Sequence, residues 1–146
     1  MHFFFYGTLI AGSGNPVAAA AHALLRDLGT VTARGALYAV SDAEGWYPVL
    51  LSGAGPVHGR LYEAAPGFGE SDLAALDAYE DFDPADPGGS LYVRSTIVVS
   101  DGDGAFHQAQ AYSFNRPLPP GAQAIPDGDF RAWIAREGLK PYGTAS

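Results

Sequence analysis

The 146-residue chain has no cysteine, one methionine and one lysine, Lys140. Without cysteine there are no disulfides, thiolate nucleophiles or cysteine-ligated zinc. The shortage of lysine belongs to a lopsided balance of 8 basic against 16 acidic residues, a net charge of -8 that repels phosphate backbones and anionic lipid surfaces. Nucleic acid and membranes are therefore not expected partners. No run approaches the roughly 18 apolar residues of a membrane span. Met1 to Ile10 lacks the basic flank and cleavage pattern of a signal peptide, so the expectation is a cytoplasmic protein. Familiar catalytic signatures are missing too. Lys140 is not beside a glycine, which rules out a P-loop, and Gly12-Ser13-Gly14 lacks the further glycines of a dinucleotide fingerprint or a nucleophile elbow. His2, His22, His58 and His107 are scattered without metal-ligand spacing, so neither a metal nor a cofactor is expected.

What is present is enough apolar content, 47%, for one real core, and 146 residues read as a single domain. The 19 glycines and 11 prolines fall between periodic segments, as in a loop-rich fold. Phe3-Phe4-Phe5-Tyr6 is an apolar run ended by Gly7-Thr8, expected to be a strand covered on both faces and closed by a tight turn. Glycine there permits unusual dihedrals or close approach to a ligand, and successive amides in such a turn can meet an anion. An ordinary core strand with an ordinary turn is the competing reading.

Asn15-Pro16 reads as a helix start, with Val17, Ala21, Leu24, Leu25 and Leu28 on one face and Gly29 as the stop. Strands are expected at Val31 to Val40, Trp46 to Leu51 and Val57 to Glu63. Residues 91 to 99 alternate, with Leu91, Val93, Ile97 and Val99 opposite Tyr92, Arg94 and Thr96. Asp101-Gly102-Asp103-Gly104 turns that strand into another over Ala105 to Phe114. A second helix is capped at Ser71, and a third begins near Asp127. About six strands and three helices define an α+β fold with a curved or closed sheet.

On the second helix, Glu80 lies about 20° from Leu73 and about 40° from Leu76, which puts a carboxylate on the apolar stripe near a helix C-terminus. Two readings stand: a partly exposed residue at a frayed helix end or one paired with Arg94 or Arg60, against a buried acid with a raised pKa, suited to general acid/base work. Asp72 suits the first helical turn, while Asp81, Asp83 and Asp86 fall in a proline-rich exit loop.

Tyr6-Gly7-Thr8-Leu9, Leu76-Asp77-Ala78-Tyr79-Glu80 and Ser90-Leu91-Tyr92-Val93-Arg94, with Tyr47-Pro48 and Gly59-Arg60-Leu61-Tyr62 between them, resemble the γ-glutamylcyclotransferase-like superfamily, including its γ-glutamylamine cyclotransferase and AIG2-like branch. The likeness covers roughly residues 3 to 115 and fades from about 116. It implies a small mixed β-barrel-like sheet flanked by helices. It also implies an enzyme that releases 5-oxoproline from γ-glutamyl small molecules, with Glu80 as acid/base and Tyr6, Gly7, Thr8 and Leu9 holding the substrate. Tyr92 is a candidate hydrogen-bond donor on the substrate side; an amphipathic wall residue is the equal alternative. Asp81 departs from the resemblance, because many relatives have glycine after the glutamate. A non-catalytic metabolite-binding module on the same fold, and a hydrolase using Glu80 to activate water, are the rival readings.

Overall fold

A computed structural model describes residues 1–7, 9 and 16–142; Thr8, Asn15 and Gly143 are among the residues outside that set. The longest structure is the antiparallel pair β2 (Leu25–Asp42) and β3 (Gly45–Ala64). In β2, Val31, Ala33, Leu37 and Ala39 are buried at period two, the spacing that sends one face of a strand inward. The pair turns at Ala43 and Glu44, where the Asp42 carboxylate accepts the Glu44 N–H at 2.7 Å and Gly45 takes φ 126°. The expected strands at Trp46 to Leu51 and Val57 to Glu63 are one strand. Gly35 faces Gly55 and Ala36 faces Leu51, so residues 52–54 form a bulge. A Cβ on Gly53 would stand 2.8 Å from the Ala36 nitrogen, so the bulge folds tightly onto β2.

β1 (His2–Phe5) runs antiparallel to β3 and parallel to β5 (Phe106–Phe114), with Phe3 facing Tyr62 on one side and Gln110 on the other. β4 (Tyr92–Asp101) pairs with β5 through the Asp101 hairpin and with β2 at Val31 and Thr32. Because β2 also pairs with β3, the order β3-β1-β5-β4-β2 closes into a five-stranded barrel, and β6 (Gln123–Ala124) adds one strand outside β2. The fold is α+β, as expected.

Closure explains the four aromatics. Phe4 and Tyr6 join one apolar cluster with Val31, Leu61, Val99 and the Phe130, Trp133 and Ile134 of helix α3 (Phe130–Glu137). Phe3 and Phe5 point the other way, into a cluster with Tyr62, Tyr112, Ala18 of helix α1 (Pro16–His22) and Leu76 of helix α2 (Glu70–Tyr79).

Three expectations about helices are corrected. The first helix ends at His22 and does not reach Gly29, since from Leu25 onward the backbone pairs with β3. Gly29, at φ 104°, sits beside a register shift and serves β2 as an irregularity. The second helix is capped at Gly69, not Ser71, with the Asp72 carboxylate accepting the Gly69 N–H at 2.9 Å. The third starts at Phe130, where the Asp129 carboxylate accepts the Ala132 N–H at 3.0 Å. No helix among the described residues is long and apolar enough to cross a membrane.

Candidate active site

Glu80 is the last residue attached to α2, with its N–H donating to Leu76 O at 3.2 Å. Asp81 follows at φ 51°, a left-handed conformation in which glycine is at ease and other residues are strained. That turn ends the helix and leaves the Glu80 side chain on the barrel side. Part of the residue remains open to a cleft, yet its carboxyl is ringed by protein. Loss of solvent, and then the neighbouring Asp81 charge, push its pKa from 4.5 up to about 8. Neither arginine weighed as its partner pairs with it: Arg94 binds Asp77 and Arg60 binds Asp27.

Asp77, one turn earlier, is the buried acid that sequence reasoning passed over, only 4% exposed. Arg94 Nε donates to its Oδ1 at 2.9 Å, and the Tyr112 hydroxyl donates to the same oxygen at 2.6 Å. Arg94 Nη1 reaches Gln110 Oε1 at 2.8 Å, and Gln110 Nε2 reaches Thr96 Oγ1 at 2.7 Å. The guanidinium also stands over the Phe82 ring, 5.7 Å from its centroid. This network ties α2 to β4 and β5, and so sets where its last residue lies.

Glu80 faces a cavity of about 140 Å³, whose walls include Tyr6, Gly7 and Leu9 from the end of β1 and Tyr92 from β4. Five of the six residues singled out in the sequence thus line one space; the sixth, Thr8, lies outside the described residues. The glycine acts by close approach and not by its dihedrals, since Gly7 is not among the positive-φ residues. A Cβ there would stand 2.2 Å from Pro48 Cγ.

Pro48 is held in turn by the Tyr92 hydroxyl, which donates to its carbonyl at 2.8 Å. The Tyr6 hydroxyl donates to the Tyr112 carbonyl, and a ring nitrogen of His22 meets Leu9 O at 2.7 Å. Burial pushes the Tyr6 and Tyr92 phenols above their ordinary range, with Glu80 adding to the shift, so both stay neutral. Their protons are engaged with backbone carbonyls, and the Tyr6 oxygen is also hydrogen-bonded by the Leu50 backbone.

Asp42, Tyr47, Tyr79, Tyr112 and Tyr142 also line the cavity, and no local pattern in the sequence marks them for it. Tyr142 comes from the far end of the chain. Its N–H donates to Trp46 O at 2.6 Å, beside a single bridge between Trp46 and Pro141. No lysine, arginine or histidine lines the cavity among the described residues. Nor do the described residues hold a cluster of three or more His, Asp or Glu arranged to take a metal ion.

The closed five-stranded barrel flanked by helices is a γ-glutamyl cyclotransferase-like fold. The chain belongs to the family described as gamma-glutamyl cyclotransferase, AIG2-like, whose pattern it matches over residues 3–132, further than the limit near 115 expected above. Among solved structures, ytfP of Escherichia coli is similar at 27% identity and a TM-score of 0.59, over 94% of this chain and 99% of that one. PH0828 of Pyrococcus horikoshii shares 17% identity with a TM-score of 0.60, over 94% and 96% of the two chains. A protein called gamma-glutamyl cyclotransferase shares the fold at 14% identity and a TM-score of 0.60, over 100% and 91%. A search of curated proteins returns no match.

Proposed function

We propose that this protein is a γ-glutamyl cyclotransferase that converts a γ-glutamyl amine, amide or peptide into 5-oxoproline and a free amine. The observation that carries the reading is Glu80, a carboxyl with a pKa near 8 in the same cavity as the strand end Tyr6, Gly7 and Leu9. An acid/base works best with a pKa near the operating pH. A group near 8 is also close enough to an α-ammonium for proton exchange in either direction.

The substrate supplies its own nucleophile. With the glutamyl chain held folded, its α-amine attacks the γ-carbonyl, and ring closure becomes effectively unimolecular. The bond from the α-nitrogen to the γ-carbon forms, and the bond from that carbon to the leaving nitrogen breaks. Of the three α-ammonium hydrogens, one stays on the lactam nitrogen and two finish on the departing amine. Ionised Glu80 relays these two in turn, taking each from the α-nitrogen and giving it to the leaving nitrogen, and ends the cycle ionised. Backbone amides at the end of β1 hold the α-carboxylate or the developing oxyanion. No water is consumed and no metal or cofactor is required.

The test is incubation with γ-glutamyl amines, amides and dipeptides in the presence of a chelator, read by mass spectrometry. The expected product is 5-oxoproline. Free glutamate in its place would mean hydrolysis, and saturable binding with neither product would mean a binding module.

A further inference from the structure

The proposed reaction leaves one side of the cavity without a task. Tyr47, Tyr79 and Tyr142 stand there as a corner of rings: Tyr142 meets Tyr47 at a centroid distance of 5.8 Å and 75°, and Tyr79 at 6.4 Å and 62°. All three line the same space as Glu80, together with Asp42 and Asp81. Burial raises the phenols of Tyr47 and Tyr142, Asp42 adds to both shifts, and Glu44, Asp81 and Glu80 add to that of Tyr142, so several carboxylate charges act on this corner. Aromatic walls set at steep mutual angles beside carboxylates are the surroundings in which an organic cation is held.

We propose that the departing amine carries a second cationic group, and that Tyr47, Tyr79, Tyr142 and Asp42 hold this group during ring closure. The substrates would be γ-glutamyl monoamides of diamines or of aminoalkyl guanidines, with no carboxylate on the leaving side. The proposal rests on the cyclotransferase reading above. Ring closure itself uses only the glutamyl half of the substrate, so these four residues act on the choice of amine. The absence of any basic side chain among the described lining residues disfavours an anionic leaving group, and the net charge of -8 draws cations inward.

The decisive comparison uses three substrates of similar length: the γ-glutamyl monoamide of diaminobutane, γ-glutamyl pentylamide as its neutral counterpart, and γ-glutamyl aminobutyrate as the anionic one. The expected order of kcat/KM is cationic, neutral, anionic, with roughly a tenfold or greater step from neutral to cationic. Asp42→Asn should shrink that step severalfold. Asparagine can still accept the Glu44 N–H that Asp42 accepts at 2.7 Å, so the substitution removes charge without undoing the turn. Equal kcat/KM for the cationic and neutral compounds would overturn the proposal while leaving the cyclotransferase reading intact. A step unchanged in Asp42→Asn would also overturn it.

Calorimetric binding of the same compounds to Glu80→Gln separates the two readings. Tighter binding of the cationic compound, with no 5-oxoproline from the parent protein, would retain the cation site and sink the reaction. Equal binding, or no binding of any of the three, would remove the cation site.

Discussion

Asp77 and Glu80 lie one turn apart on the same helix, and their surroundings could hardly differ more. Asp77 faces the barrel wall and accepts from Arg94 and Tyr112, at the head of a chain that continues through Gln110 to Thr96. Glu80 faces the cavity, has Asp81 as its neighbouring charge, and is pushed up to about 8. Burial alone therefore does not make an acid/base. A buried carboxylate supplied with cationic and hydroxyl donors becomes a fastener, whereas one removed from water beside another anion keeps its proton until near-neutral pH.

The largest expected effect breaks the reactive half of this pair. Glu80→Gln should lower turnover by about a hundredfold or more while leaving substrate affinity nearly intact, measured as 5-oxoproline formation against calorimetric binding. The same variant reads the proton in the fold. Because the folded-state pKa lies above the ordinary value, Glu80 contributes fully below about 4.5, and stability is lost as pH rises from there through about 8. Melting temperatures of parent and Glu80→Gln should therefore coincide near pH 4, separate as pH rises through about 8, and differ by a constant amount beyond it, with the variant more stable. In the parent, kcat/KM should climb as pH passes through about 8.

Next in size is the structural half. Removing one partner of a buried ion pair costs about 3–5 kcal/mol, so Asp77→Leu and Arg94→Met should each show a marked drop in urea midpoint. The double variant should lose much less than the sum of the two. Additive losses would mean that Asp77 and Arg94 do not act as a unit.

The smallest effect concerns the residue between helix and loop. Asp81→Gly relaxes a left-handed backbone worth roughly 1 kcal/mol and removes the charge that helps raise Glu80. The pH midpoint of activity should fall while the melting temperature rises slightly. An unmoved midpoint would leave desolvation as the whole cause of the Glu80 shift.

Much of this was legible along the chain. The aromatic run, the Asp101 hairpin and the position of Glu80 on the apolar stripe all follow from local periodicity. The first helix misled because Leu24, Leu25 and Leu28 satisfy helical spacing while Leu25 also suits a strand, and the long pairing with β3 decided the matter. Asp77 could have been found from the projection that found Glu80, since it lies about 40° from Leu73. Its connection to Arg94 and Tyr112 depended on strand register, which no local pattern displays. Tyr142 was the least accessible, because a tail residue becomes a cavity wall through the bridge at Trp46 and ring contacts with Tyr47 and Tyr79, all distant in sequence.

The place of β1 between β3 and β5 also bears on how the molecule folds. The strand that comes earliest in the chain can meet β3 only across the β2–β3 hairpin, and β5 only after some hundred residues have been brought back to it. Contacts separated so far in sequence form slowly. Barrel closure and completion of the Gly7 end of the cavity therefore depend on the same long-range pairing. A folding intermediate that retains only the β2–β3 and β4–β5 hairpins would carry Tyr92 and Tyr112 but lack a finished substrate pocket.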